Sequence, residues 1–426
     1  MKLLIITYFY APDLNPRAFR WTAIASNFAR KGHQVDVLCA AVPNGTANDR
    51  CDGVTVYRVK DWLLNASARV APKRETTPAG AGVLSTLRAS ARRVVRMLWR
   101  AAYWPDYACG WIIPAVRMAD ILCGRNSYDR IVSVSLPFTG HLVGLLAKRR
   151  LPKVPWLVDI GDPFHLTKEP SHNNRWLYAA LNRAIERKVL MKADAVSATT
   201  EETKRLYEEH FAVESGKIIV IPPLLSLPSP LMPPIARTDG VIKLVYVGTL
   251  YRRLRSPKPL LTLFRALVEV GNGRPLELHF YGSVNDCAGT LAPYLRTMGS
   301  RVFVHGLVSR AEVQLAMGDA DVLVNIGNAS AAQLASKVVE YMAMGKPILN
   351  LVSIDSDASV AELADYPASF TIARFEEVTS ASVVAKALAF VTQSGPVTKA
   401  VVEKVRRKYS EENVSGLYWS LLDGKR

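Results

Sequence analysis

Apolar residues follow two rhythms along this chain: short unbroken runs, and longer stretches in which they recur at helical spacing. The opening segment KLLIITYFYAPDLNPRAFRWTAIASNFARKGHQVDVLCA predicts a buried strand, then a Pro/Asp/Asn loop. An amphipathic helix ending near Gly32 and a second strand from Gln34 complete a βαβ unit. GVTVYRV, DRIVSVS, PWLVDI, ADAVSAT and KIIVIP predict further strands, with helical patterns between most of them. Short Val/Ile-rich strands alternating with helices pack as a parallel, doubly wound sheet, because each crossover helix covers a face of the sheet.

The pattern stops between Ile221 and Gly240, where IPPLLSLPSPLMPPIARTDG carries six prolines that break helix and strand alike. A second series follows, with strands at IKLVYVGTL, LELHFYG, RVFVHGLV, DVLVNIG and KPILNLV. Helices are predicted near PLLTLFRALVEV and over AEVQLAMGDA and SKVVEYMAMG. The expected architecture is α/β, with two Rossmann-like domains facing across a cleft. Residues 1–225 form the first domain, 226–240 a linker and 241–397 the second; a charged terminal helix in 398–426 returns to the first.

With 426 residues, 49% hydrophobic and 21% charged, the chain is long and apolar enough for two cores, which excludes intrinsic disorder. Its five cysteines are odd in number and lack a CxxC pair, which argues against a disulfide framework or a zinc site and for a reducing compartment. The N-terminus lacks a signal cleavage pattern, and no run reaches the roughly 20 apolar residues that span a bilayer. A cytoplasmic location is expected, with any membrane contact peripheral.

The net charge of +17 is lopsided, since residues 1–225 hold 32 Lys+Arg against 19 Asp+Glu. The first half therefore faces something anionic: nucleic acid, a bilayer or a phosphorylated acceptor. Nucleic acid is not expected as a partner, because no recognisable binding module or interleaved aromatic and basic platform is present. Between Val83 and Trp104, Arg88, Arg92, Arg93, Arg96 and Arg100 fall on one arc of a helix and apolar residues on another. That helix either lies on an anionic membrane or turns a solvated Arg face outward.

Two segments carry candidate chemistry. In SKVVEYMAMGKPIL, Ser336 is expected to cap a helix that Gly345 and Pro347 end, placing Lys337 and Glu340 in the first turn. A helix start offers unpaired N–H groups to a diphosphate, and a carboxylate accepts from two vicinal ribose hydroxyls; alternatively, Lys337 and Glu340 form only a surface ion pair. In YVGTLYRRLRSPKPLL, Gly248 ends a strand and Arg252, Arg253, Arg255 and Lys258 follow. Cations there stabilise charge on a leaving phosphate, or are merely solvated.

LVYVGTL, HFYGS, HGLVSRAEVQLAMGDADVLV and SKVVEYMAMGKPIL, in that order, resemble the C-terminal domain of the family-four glycosyltransferases, which have the GT-B fold. YFYAPD, FARKGHQVDVL, PDYACGW, SLPFTGHLVGLL and WLVDIGDPF resemble the N-terminal half of that family's bacterial polysaccharide branch. The resemblance implies that Glu340 binds a ribose, that Arg252 or Arg253 with Lys258 holds a diphosphate, and that Ser336 and Lys337 sit beside phosphates or sugar. It places the backbone of Gly306 to Val308 at the base. It further implies a metal-independent, retaining transferase with a nucleotide-diphospho-sugar as co-substrate and no other cofactor. Three positions depart from the family's pattern: Ala332 stands where it often has a glutamate, Leu14-Asn15-Pro16 where it has a glycine pair, and Pro223-Leu224 where it has Asn-Gly.

On the acceptor side, Asp159, Asp162 and His141 are the candidates to orient or deprotonate a hydroxyl, because strand C-terminal ends face ligands in open α/β sheets. Their alternatives are a turn opening at Asp162-Pro163 and a packed helix residue at His141. The expected activity is transfer of a sugar to a glycan or lipid-linked acceptor in cell-surface polysaccharide biosynthesis. The alternatives are a non-catalytic sugar-binding or scaffold protein and, further off, a nucleic-acid-binding protein.

Overall fold

The computed structural model of the chain describes residues 1–13, 15–42, 48–62, 102–167, 172–214, 216–225, 240–271 and 273–424. The chain divides into two compact units, Met1–Ile221 with Val414–Arg426, and Pro222–Asn413. The proline-rich stretch 226–239 lies outside the described residues.

The first unit runs β1 (Lys2–Ile6), α1 (Pro16–Arg30), β2 (Gln34–Ala40), β3 (Asn48–Cys51), β4 (Val54–Val59), α2 (Ile112–Arg125), β5 (Arg130–Val134) and α3 (Thr139–Arg150). It continues through β6 (Trp156–Asp159), α4 (Arg175–Lys192), β7 (Ala195–Ala198), α5 (Glu201–Phe211) and β8 (Ile218–Val220). The strands order as β3-β4-β2-β1-β5-β6-β7-β8, and every pair is parallel except β3 with β4. β1 and β2 read as nearly continuous apolar runs because helices cover both faces of the sheet. Asn15 caps α1 by accepting from the Arg17 N–H, and Pro16 takes the first helical position, where no N–H is needed.

The second unit contains β9 (Ile242–Val247), α6 (Lys258–Val270), β10 (Leu276–Tyr281), α7 (Ala288–Thr297), β11 (Val302–Gly306), α8 (Arg310–Asp319) and β12 (Val322–Ile326). After these come α9 (Ser336–Met344), β13 (Ile348–Leu351), α10 (Ala358–Leu363), β14 (Ser369–Ile372), α11 (Ala381–Gln393) and α12 (Lys399–Lys408). Its six parallel strands order as β11-β10-β9-β12-β13-β14. Counted from β9, that is the 3-2-1-4-5-6 order of a Rossmann-like sheet. Gly345, in the left-handed region at φ 72°, ends α9 as the sequence predicts.

Where one charged terminal helix is expected, the chain forms α12 and then α13 (Glu411–Asp423). Ser410 breaks the run, its Oγ accepting from the Asn413 N–H at 3.1 Å as the cap of the new helix. From Val414 onward α13 belongs to the first unit: Trp419 stacks on His33 with ring centroids 3.8 Å apart, and Arg130 donates to the Leu422 carbonyl.

Candidate functional site

In the second unit the strand order reverses between β9 and β12, which are adjacent and parallel. Ligands of open α/β sheets bind outside the carboxyl ends of the strands at such a reversal. The loops leaving β9 and β12 meet there. The Arg255 guanidinium donates from Nε to Asn328 Oδ1, and Asn328 Nδ2 donates to the Gln333 carbonyl at 2.9 Å. Arg255 thus ties the cation-bearing loop to the segment that leads into α9. Ala329 in that segment has φ 52°, a left-handed conformation that costs a non-glycine residue about 1 kcal/mol or more.

Glycine makes the neighbouring strand ends fit. Gly282, just after β10, has φ 126°, and a Cβ there would lie 2.2 Å from the Gly248 carbonyl oxygen. Its N–H donates to the Gly306 carbonyl at 2.7 Å, so Gly248, Gly282 and Gly306 form a side-chain-free rim along three strand ends.

The start of α9 differs from expectation. Ala335, not Ser336, holds the cap position; Ser336 is the first helical residue, and no side chain caps the turn. An alanine cap leaves the first N–H groups without a side-chain acceptor, and with them the positive end of the helix dipole. Lys337 Nζ pairs with Glu340 Oε2 at 2.5 Å. Glu340 is buried, and its pairing uses one of its two oxygens.

The remaining expected donor-side residues sit around this rim. Gly248 ends β9, and Arg252 reaches the loop after β10, its N–H donating to Asp286 Oδ1 at 3.0 Å. Arg253 is exposed in the same loop. Lys258 is the first residue of α6, whose cap position, Pro257, offers no side-chain acceptor. Gly306 ends β11, and Val308 lies half-buried two residues on.

The first unit places two of its three candidates where a base could not work. Asp159 ends β6 and is 2% exposed. Its Oδ1 accepts from Ser197 Oγ at 2.8 Å and Tyr418 OH at 2.5 Å; its Oδ2 accepts from Trp21 Nε1 at 2.9 Å and lies 3.5 Å from Arg17. Burial opposes its charge, but Arg17, Arg20 and the hydroxyl donors outweigh burial and hold its pKa below the usual carboxylate value. With four partners and no access, Asp159 clasps α1, β7 and α13 together and does not deprotonate an acceptor.

His141 is the third residue of α3 and 1% exposed. Ser133 Oγ accepts from Trp156 Nε1 at 2.9 Å and is hydrogen-bonded to His141 Nδ1 at 2.8 Å. Burial pushes the imidazole pKa down to about 3, with Asp159 only partly opposing, so the ring is neutral and packed. The packed-helix alternative therefore holds for His141. Asp162 remains half-buried in the loop after β6 and borders a cavity of about 10 Å³, at the lower limit for one water.

Residues without a role in the sequence reading hold that loop. Glu186 of α4, 2% exposed, accepts from the backbone N–H groups of Phe164 and His165 at 3.0 and 2.8 Å and from Tyr207 OH at 2.5 Å. Burial raises its pKa to about 6 against those three donors. Asp106 likewise accepts from the N–H and hydroxyl of Thr139, fixing the start of α3. Glu186 gives no sequence signal, since a lone glutamate in an arginine-rich helix resembles a surface residue. Arg88, Arg92, Arg93, Arg96 and Arg100 lie outside the described residues.

Comparison with known proteins agrees with the fold. Residues 18–223 match the family described as Glycosyl transferase 4-like domain. No curated protein matches the chain. Among solved structures, a sucrose-phosphate synthase from Thermosynechococcus elongatus is 16% identical with a TM-score of 0.64, covering 100% of both chains. An Anabaena protein solved in complex with UDP-glucose is 12% identical with a TM-score of 0.61, again over 100% of both chains. A lipopolysaccharide outer core galactosyltransferase in its apo form is 12% identical with a TM-score of 0.60 over 100% of both. At such identities the likeness shows the fold.

Proposed function

We propose, from the premise that this chain is a glycosyltransferase of the GT-B type whose residues 18–223 belong to the glycosyl transferase 4-like domain family, that it moves a sugar from a nucleotide diphosphate to a glycan or lipid-linked acceptor. The observation that carries the reading is the tie from Arg255 through Asn328 to Gln333. It draws a cation loop and an uncapped helix start to one strand-order reversal. Lys258 and Arg252 or Arg253 then balance charge on the leaving diphosphate, joined by the first N–H groups of α9. Glu340, with one oxygen left over from Lys337, accepts from the ribose hydroxyls.

In this reading the acceptor oxygen attacks the anomeric carbon on the face the diphosphate leaves. The bond to the phosphate oxygen breaks, and that oxygen takes the acceptor proton. Configuration is retained, and neither a protein nucleophile nor a metal ion enters. The burial of Asp159 and His141 is compatible with such a route, since no base is required of them. Work on cell-surface polysaccharide at an anionic cytoplasmic membrane face is the setting favoured by the excess of Lys and Arg in residues 1–225.

Release of nucleoside diphosphate from a panel of nucleotide sugars, with glycan and lipid-linked acceptors, tests the proposal. Glu340→Ala and Lys258→Ala are each expected to lower turnover by about a hundredfold or more. Wild-type turnover in both variants overturns the assigned site, and calorimetry showing donor binding without turnover on any acceptor favours a sugar-binding role.

A further inference from the structure

α4 turns an unusual surface to solvent. Its 18 residues span about 27 Å, and its inner face, with Asn182, Glu186, Val189 and Leu190, packs into the first unit. On the outer face Trp176 is 92% exposed, Leu177 54%, Leu181 45% and Met191 56%, with Ala180 and Ala184 between them. Every other exposed residue of the helix is a cation: Arg183, Arg187, Lys188 and Lys192. No acidic or neutral polar side chain interrupts the face. An ordinary solvated helix face mixes charges of both signs and does not hold a tryptophan in water.

We propose that this outer face of α4 docks the protein on an anionic lipid bilayer, a surface that deepens the reading above by fixing where a lipid-linked acceptor meets the chain. Trp176, Leu177 and Leu181 would enter the headgroup boundary, while the four cations meet lipid phosphates. Charge complementarity points to the bilayer, since the exposed charges of this face are all positive and anionic lipid offers a continuous phosphate surface. On the neighbouring helix α5, Glu201, Glu202 and Glu209 lie within ion-pair distance of that helix's own Lys204 and Arg205. Continuity adds to this: Tyr178 OH donates to the Ala102 carbonyl at 2.7 Å, which brings α4 to the point where the arginine-rich segment of the sequence ends.

The test is co-sedimentation of the full chain with phosphatidylcholine vesicles, with and without about 30% phosphatidylglycerol, at low and high salt. Binding is expected to the anionic vesicles alone and to fall as salt rises. Each cation removed is expected to weaken partitioning about fivefold, so that the pair Arg187→Glu and Lys188→Glu weakens it at least about twenty-five-fold. Trp176→Ser with Leu177→Ser is expected to weaken it and to abolish the blue shift of tryptophan emission on vesicles. These positions are exposed, so folding and nucleoside diphosphate release on a soluble acceptor should stay at the wild-type level. That separates failure of the docking surface from failure of the donor site. The proposal is overturned if the protein does not bind anionic vesicles, if both pairs of substitutions leave binding unchanged, or if only replacing Arg88 to Arg100 abolishes it. Self-association in solution that the same substitutions remove also overturns it.

Discussion

The buried, neutral state of His141 makes a quantitative prediction about acid stability. Its pKa is pushed down to about 3 from 6.5, so the folded state resists a proton that the unfolded chain accepts. The sign follows: this stability is present above the unfolded value and is lost as pH falls toward the folded one. Between about pH 7.5 and pH 5 one such histidine removes about 2 kcal/mol. Over the same interval Glu186 acts the other way, since its raised pKa gives stability below 4.5 that is lost as pH rises through about 6. Asp159, whose pKa is depressed below 3.8, loses its contribution only at more acid pH. Comparison with His141→Asn cancels both. The amide can still hydrogen-bond to Ser133 Oγ, but nothing titrates, so the variant loses about 2 kcal/mol less on acidification than the wild type. Urea unfolding followed by tryptophan emission reads the first unit alone, because all eight tryptophans lie within it. Equal acid losses in wild type and variant would refute the reasoning, and a variant inactive although folded would restore His141 to the reaction.

Asp159→Asn removes the buried charge 3.5 Å from the Arg17 guanidinium and should cost the first unit about 3 kcal/mol or more in the same urea assay, with residual turnover tracking the folded fraction. Gly282→Ala forces a Cβ against the Gly248 carbonyl and should weaken nucleotide-sugar binding more than tenfold by calorimetry while the chain still folds. Arg255→Lys should raise the donor KM about tenfold or more, because an ammonium lacks the planar fork that reaches Asn328; an unchanged KM would detach Arg255 from the site.

What the sequence made legible was whatever depends on periodicity or on neighbours close in the chain. The buried strands β1, β9 and β12 are runs of apolar residues that few other structures bury, and Gly345 ends α9 because a left-handed position favours glycine. β3, with the polar sequence NDRC, and β14, with SFTI, gave no such signal, being short edge strands whose pairing depends on a neighbour. Ser336 is the stronger cap by propensity, but the entering chain sets the boundary of α9 one residue earlier, at Ala335.

The site divides along the same line. The donor-side cations and the α9 turn are contiguous motifs, so their types and order could be read, and the strand order that brings β9 beside β12 joins them. Asp159 and Asp162 follow a strand end, a position that locates the backbone and leaves the side chain's direction open. Asp159 turns inward because Tyr418, 259 positions away, supplies a hydroxyl, and Arg20 is held in the same cluster. No local pattern encodes that meeting, which forms only once α13 has docked on the first unit. The strand end beside α1 thus serves to hold the last helix, while the loop after β6 is fixed from the other side by Glu186, which accepts from the N–H groups of Phe164 and His165.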